Sequence, residues 1–374
     1  LDLKAQYAPL REETTRAVAE VMESQAFVLG PVVEEFEREV ADHVGAEHAV
    51  GCASGTDALI LSLAALGIGR DDEVLTSPFS FFSSASCACK VGARPSFADI
   101  DPETFNLDPA SVEAAIRPAT RALLPVHLFG QCAEMDPLME IAARHGLPIV
   151  EDAAQALGAA YESPAGSAAS FAGTMGETGC YSFFPTKNLG GFGDGGMIVT
   201  ADGELAERLR LLRVHGGQQM YHHRWVGWNS RLDALQAAVL RVKLPHLKKW
   251  SEERAANAAR YDRLFAESGL LDSGDLRLPA RSGNSTHIFN QYTLRTRRRD
   301  DLREHLKAAG IGHSVYYPVP LHLQECFSDL GYREGDFPHA ERACREVVSL
   351  PVYAELTAEQ QERVVAAVVD FYRG

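Results

Sequence analysis

From His48 onward, short and almost wholly apolar runs alternate with helical stretches through the first two-thirds of the chain. This alternation restricts the fold to an α/β class with a largely parallel sheet. The runs are His48–Cys52, Glu73–Ser77, Arg94–Asp99, Ala122–His127 and Pro148–Asp152, and each ends in polar or turn residues. Between and before them lie helical patterns. Pro31–Val44 places Val32, Val33, Phe36 and Val40 on one face. In Ala53–Leu63, Ser54 or Thr56 is positioned to cap a helix whose apolar face is Leu59, Ile60 and Leu63. Met135–His145 stops at Gly146. Ligands of such sheets sit beyond the carboxyl ends of the strands, so that edge is where chemistry is expected.

From about Ser230 the pattern turns helical, over Arg231–Leu244 and then Trp250–Ser268. A strand-like Phe289–Leu294, a helix over Arg299–Ala309 and a loop rich in Tyr, Pro and His at Tyr316–Gln324 follow. The expected organisation is a large domain over 1–244 and a smaller α+β domain over 245–374. The Ala-, Gly- and Ser-rich Ser163–Thr178 reads as a surface loop.

At 46% hydrophobic and 23% charged residues, 374 residues suffice for a sizeable core. The net charge of −15 argues against nucleic acid or an anionic membrane as partner. A small anionic ligand would need a local pocket, and Arg224 and Arg231 are the cations nearest the motifs described below. Seven scattered cysteines suit a reducing cytoplasm, and no zinc-spaced set marks a metal site. No apolar run approaches the ~18–20 residues needed to cross a bilayer. No charged-then-apolar leader opens the numbered chain, and an initiator methionine is expected upstream of Leu1.

Four features point to one chemistry. Lys187 follows Phe183, Phe184 and Pro185 and precedes five glycines in nine residues, a tight apolar setting where backbone approaches a ligand closely. A lone lysine is usually solvated, but a desolvated one has a lowered pKa and can form a Schiff base with a carbonyl. Asp152 closes an apolar run; its bland reading is a turn carboxylate. Its functional reading is an acid that keeps the ring nitrogen of a pyridine-type cofactor protonated. Ser54-Gly-Thr-Asp57 opens a helix with free N–H groups and hydroxyls, a seat for phosphate. Phe79, Phe81 and Phe82 are core candidates, one of which could stack on a planar ring. Gly191-Phe-Gly-Asp-Gly-Gly196 satisfies the dinucleotide spacing, but it precedes the strand-like Met197–Thr200, the reverse of the order that fingerprint requires.

Taken together, Glu151-Asp-Ala-Ala-Gln155, Ser182-Phe-Phe-Pro-Thr-Lys-Asn188, Gly193-Asp-Gly-Gly-Met197 and Asn229-Ser-Arg-Leu-Asp-Ala-Leu-Gln236 resemble the DegT/StrS-type sugar aminotransferases. The resemblance runs from Leu1–Tyr7 to the C-terminal region. It implies a fold-type-I transferase that uses pyridoxal 5′-phosphate (PLP), with a mostly parallel central sheet flanked by helices. By it, Lys187 carries the cofactor and shuttles the proton, Asp152 pairs with the ring nitrogen and Gln155 approaches the ring hydroxyl. Phe81 stacks on the ring, and Gly55, Thr56 and Ser182 bind the phosphate. Asn229 reaches the phosphate of a neighbouring subunit's cofactor, which implies a homodimer with shared active sites. Arg231, Tyr317, His322 and Gln324 are expected at the substrate. The stretch Glu162–Thr178 is longer than the family's usual link, and Trp228 stands where smaller residues are common.

The implied reaction moves an amino group from L-glutamate to a nucleotide-linked ketosugar in the cytoplasm. A 3-keto UDP-N-acetylglucosamine-type hexulose is expected, with the 4-keto-6-deoxy class as the alternative. A sugar dehydratase of the same fold is disfavoured because those enzymes carry His where Lys187 stands. A PLP-binding regulator gains nothing from so complete a site. A fold-type-I decarboxylase or lyase lacks the motifs downstream of Gly216.

Overall fold

A computed structural model describes residues 2–163, 166, 169–219 and 221–373. Seven strands form the main sheet: β1 (His48–Cys52), β2 (Glu73–Thr76), β3 (Arg94–Phe97), β4 (Thr120–Leu124), β5 (Val150–Asp152), β6 (Thr178–Ser182) and β7 (Gly196–Thr200). β1, β7, β6 and β5 pair in that order, as do β3, β2 and β4. Parallel bridges Leu123–Ile149 and Val126–Asp152 join the two groups. Only β7 runs against the rest, pairing antiparallel with β1 and β6. Such a sheet is covered on both faces, so its strands are apolar throughout rather than alternating. All five residues of β7 are buried.

The helix after β1 spans Gly55–Ala65, and Ser54 is its cap: its Oγ accepts from Asp57 N at 3.0 Å. The single apolar face expected there is too narrow. Ala58 through Leu63 are all buried, because the helix is enclosed by the sheet and by helices Ser83–Lys90 and Gly203–Leu212. Helices Pro31–Val44 and Met135–His145 fall where their periodicity places them, and Gly146 closes the second at φ +64°. The helix expected from Arg231 begins at Ala234 instead. Bridges Val28–Asp233 and Val214–Asn229 hold the preceding chain extended, while Leu232 still packs in the core.

A smaller antiparallel sheet, Leu276–Arg277, Tyr292–Thr296 and Val347–Leu350, is packed by helices Leu247–Ser268, Arg299–Ala308 and Ala358–Arg373. Its central strand starts three residues later than the sequence suggests. Phe289 sits at φ +47°, and the amides of Ile288 and Asn290 bond to Gly130 and Phe129 instead of a strand partner. The segment Leu321–Phe337 returns to the main core, where Phe327 and Phe337 pack on Phe97. Ser163–Thr178 is not simply a surface loop. Ser170–Phe171 pairs with Ala160–Tyr161, Ala172 is fully buried, and Tyr181 Oη donates to the Ala172 carbonyl at 2.6 Å. Residues 164, 165, 167 and 168 of that stretch, and Leu1, lie outside the described residues. Among the described residues no helix is long and apolar enough to cross a membrane.

Candidate active site

The chain leaves β1, β2, β4, β5 and β6, and enters the reversed β7, at one edge of the sheet. There the connecting residues enclose a cavity of about 420 Å³. Lys187, Asp152, Gln155, Ser182, Phe81 and Tyr317 line it, with Gly55 and Thr56 on one wall.

Lys187 sits on the turn after β6, its backbone N–H donating to the Phe184 carbonyl at 2.9 Å. Burial brings its amine down to about 8, against the opposing pull of Asp152. Asp152 is 5% exposed. Its Oδ1 accepts from Ala154 N (3.2 Å), the expected turn contact, and its Oδ2 accepts from Ser84 Oγ (2.7 Å). Gln155 Oε1 accepts from Phe129 N at 2.8 Å while its Nε2 donates to Tyr317 Oη at 3.0 Å. That pair fixes the amide orientation and ties the Tyr317 loop to the sheet edge.

Opposite lies the start of helix Gly55–Ala65. Ser54 satisfies Asp57 N and Ala58 N, so the N–H groups of Gly55 and Thr56 remain for a ligand. A Cβ on Gly55 would lie 2.7 Å from Ser182 Cβ, so only glycine allows this approach. Thr56 Oγ1 and Ser83 Oγ are 2.6 Å apart beside it. Lys187 is the only cation lining the cavity among the described residues. An anion there is held by the helix terminus and hydroxyls, not by arginine. Arg224 instead lies over the Trp225 ring at 4.5 Å, and Arg231 lies outside the cavity lining.

The three phenylalanines separate. Phe79 is core against Phe105 and Phe129, Phe82 stacks on Phe327, and Phe81, 57% exposed, faces the cavity. Asn229 is exposed and outside this cavity, but its neighbour Ser230 donates to Asp57 Oδ2 at 2.7 Å, holding that strand beside the helix start. His322 and Gln324 do not line the cavity. The short turn Leu321–Leu323 buries His322 against Phe337 and Glu341 (Nε2 to Oε1, 3.2 Å), leaving its ring no free surface. Sequence reading missed Ser80, Ser84, Asn290, Gln291 and Tyr316. The i, i+4 spacing of Ser80 and Ser84 was the available signal, obscured by the phenylalanines between them. A wider, open hollow of about 870 Å³ along Val214–Gly227 has no lysine or carboxylate in its described lining.

Glu151, beside Asp152, faces the other side of the sheet and does a different job. Its carboxylate accepts from Gly173 N, Met175 N and Gly176 N at 2.6–2.7 Å and pairs with His127 Nε2 at 2.7 Å. His127 Nδ1 accepts from Ala133 N, so the neutral ring carries its proton on Nε2 and donates it to Glu151. Glu151→Ala is therefore expected to cost about 3–5 kcal/mol of stability in urea unfolding, because buried donors lose their acceptor. Asp152→Asn, one residue on, should leave stability within about 1 kcal/mol.

An aromatic slot, a phosphate seat, a carboxylate and a poised amine fit PLP. Gly55 and Thr56 N–H with Ser182 would hold its phosphate, Phe81 its ring, Asp152 its ring nitrogen and Lys187 its aldehyde carbon. Comparison with known proteins agrees. Residues 9–369 match the DegT/DnrJ/EryC1/StrS aminotransferase family. A pleiotropic regulatory protein of Geobacillus stearothermophilus is 50% identical, covering 100% of this chain and 98% of its own. A dTDP-3-amino-3,4,6-trideoxy-alpha-D-glucose transaminase of Streptomyces venezuelae is 47% identical over 98% and 94%. A UDP-N-acetyl-3-dehydro-alpha-D-glucosamine 3-aminotransferase of Acidithiobacillus ferrooxidans is 43% identical over 98% and 96%. Among solved structures, S. venezuelae DesV in complex with a ketimine intermediate superposes with a TM-score of 0.94 at 46% identity, covering 100% of this chain and 98% of that one.

Proposed function

The chain belongs to the DegT/DnrJ/EryC1/StrS aminotransferase family, whose enzymes depend on PLP, and from that premise we propose that it transfers the amino group of L-glutamate to C3 of a nucleotide-linked 3-keto hexulose. The acceptor proposed is of the UDP-N-acetylglucosamine type, and the protein acts in the cytoplasm as a homodimer, with domains 1–244 and 245–374. The observation that carries the catalytic reading is Lys187, an amine brought down to about 8 and placed in the same cavity as Asp152. Both transaminase relatives are named for nitrogen at C3, which supports that position over C4.

Bound, PLP supplies an electron sink for the carbon that gains or loses nitrogen. The chain does the rest. Asp152 would keep the proton at the ring nitrogen, and Phe81 and Gln155 would orient the ring. Gly55, Thr56 and Ser182 would fix the phosphate. Lys187 would be the base that takes the proton from the donor Cα and returns it on the acceptor side. Asn229, beside Ser230 at the helix start, would serve the partner's site, and Arg231 and Tyr317 would serve the substrate.

A regulatory role is the second reading, carried by the name of the Geobacillus relative. Incubation with L-[15N]glutamate and UDP- or dTDP-linked 3-keto and 4-keto sugars, read by mass spectrometry, separates the two. The 15N label should enter a 3-keto sugar. A cofactor-loaded protein that labels none of the sugars contradicts the transferase reading.

A further inference from the structure

We propose that Ser84 and Ser80 form a directed hydroxyl relay that holds the Asp152 carboxylate ionised and oriented, making Ser84 a positioning residue for the reaction. This rests on the assignment of Asp152 to the cofactor's ring nitrogen. Ser84 is fully buried near the start of helix Ser83–Lys90, and its Oγ lies 2.7 Å from Asp152 Oδ2. Ser80 Oγ lies 2.8 Å from Ser84 Oγ, and Ser80, 2% exposed, reaches the cavity lining.

The direction of the relay follows from hydrogen-bond inventory. An ionised carboxylate only accepts, so the single proton of Ser84 is committed to Asp152. Ser84 must then accept from Ser80, whose own proton is committed in turn. Each donor polarises the next, and the chain ends on the negative charge, where a charge-assisted bond is strongest. Ala154 N holds the other oxygen, so the carboxylate plane is fixed at both ends. Without Ser84 the oxygen Oδ2 loses its donor and its proton affinity rises. A proton shared with a ring nitrogen would then move toward Asp152, weakening the ring as an electron sink. Ser84 touches neither cofactor nor substrate and acts only through Asp152.

The titratable groups facing Asp152 are Lys187, Tyr317, Cys87 and Cys180. Burial pushes the phenol and both thiols above their ordinary values, and the lysine falls only to about 8. The test is the infrared carboxylate band of Asp152 in the cofactor-free protein, assigned by its loss in D152N. Steady-state kinetics of the loaded enzyme accompany it.

Ser84→Ala should shift the Asp152 carboxylate band, the sign of a lost charge-assisted hydrogen bond. It should lower kcat about tenfold and leave KM for glutamate unchanged. Ser80→Ala should move both in the same direction by less. S84A and S80A proteins that fold, with a wild-type carboxylate band and kcat, overturn the relay while leaving the reading of Asp152 standing, provided D152N is impaired. If D152N itself binds PLP and turns over as wild type, both ideas fall.

Discussion

Lys187→Ala is expected to abolish turnover, by about 10⁴-fold or more, and to remove the absorbance of the lysine-linked cofactor. The size follows from what the residue does. A positioned general base alone contributes about 10²–10⁴-fold, and the same amine is the covalent attachment point. No other lysine lines the cavity, so none can stand in. Lys187→Arg should fail as completely, since guanidinium stays protonated at any working pH. The Gly55–Thr56 part of the phosphate seat lies on another segment, and both variants should still fold. The amine also makes a pH prediction. Burial lowers its pKa from 10.5 to about 8, so the neutral, nucleophilic fraction grows as pH rises and saturates above that value. Capture of PLP by cofactor-free protein should therefore accelerate up to about pH 8 and then level off. A plateau reached already near about pH 6, or a rise continuing toward about pH 10, would contradict the lowering of the Lys187 amine by burial.

The second large effect is expected from Asp152→Asn. Asparagine keeps the shape and can still accept from Ser84, but it carries no charge to hold a proton at the ring nitrogen. Breaking a buried charge pair on one side costs about 3–5 kcal/mol, so kcat should fall roughly 10²–10⁴-fold. KM for glutamate should change little, because the lost interaction strengthens only as the reaction proceeds. The neighbouring Glu151→Ala should show the opposite profile, a loss of stability, because its carboxylate gathers backbone amides on the far side of the sheet. Two adjacent acids with opposite phenotypes would be hard to obtain from any other arrangement of this strand.

Lys187, Asp152, Gly55 and Thr56 were legible because each closes or follows a short apolar run, whereas Gln155, Ser182, Phe81 and Tyr317 came from the family resemblance. All eight line one cavity, most of them where strands share one edge. What periodicity could not supply were contacts between residues far apart in the chain. Ser84 meets Asp152 across 68 residues, a partner that the i, i+4 spacing of Ser80 and Ser84 does not reveal. The helix start at Ala234 moved because a bridge at Asp233 outweighs local propensity. The strand at Tyr292 moved because Phe289 takes a left-handed conformation. The loop before β6 looked solvated from its composition, yet Glu151 draws its amides into the core. His322 sits in a polar, aromatic stretch that reads as binding surface, and the structure spends it on Glu341 and Phe337 instead.

If this cavity holds PLP through Lys187, the attachment can be trapped chemically. Borohydride reduction of the PLP-loaded protein, followed by proteolysis and peptide mass spectrometry, tests it most directly. A single pyridoxyl adduct is expected on the peptide carrying Tyr181–Asn188, located at Lys187 and absent after treatment with excess glutamate. An adduct on any other lysine, or none on a protein that retains its absorbance, would contradict it.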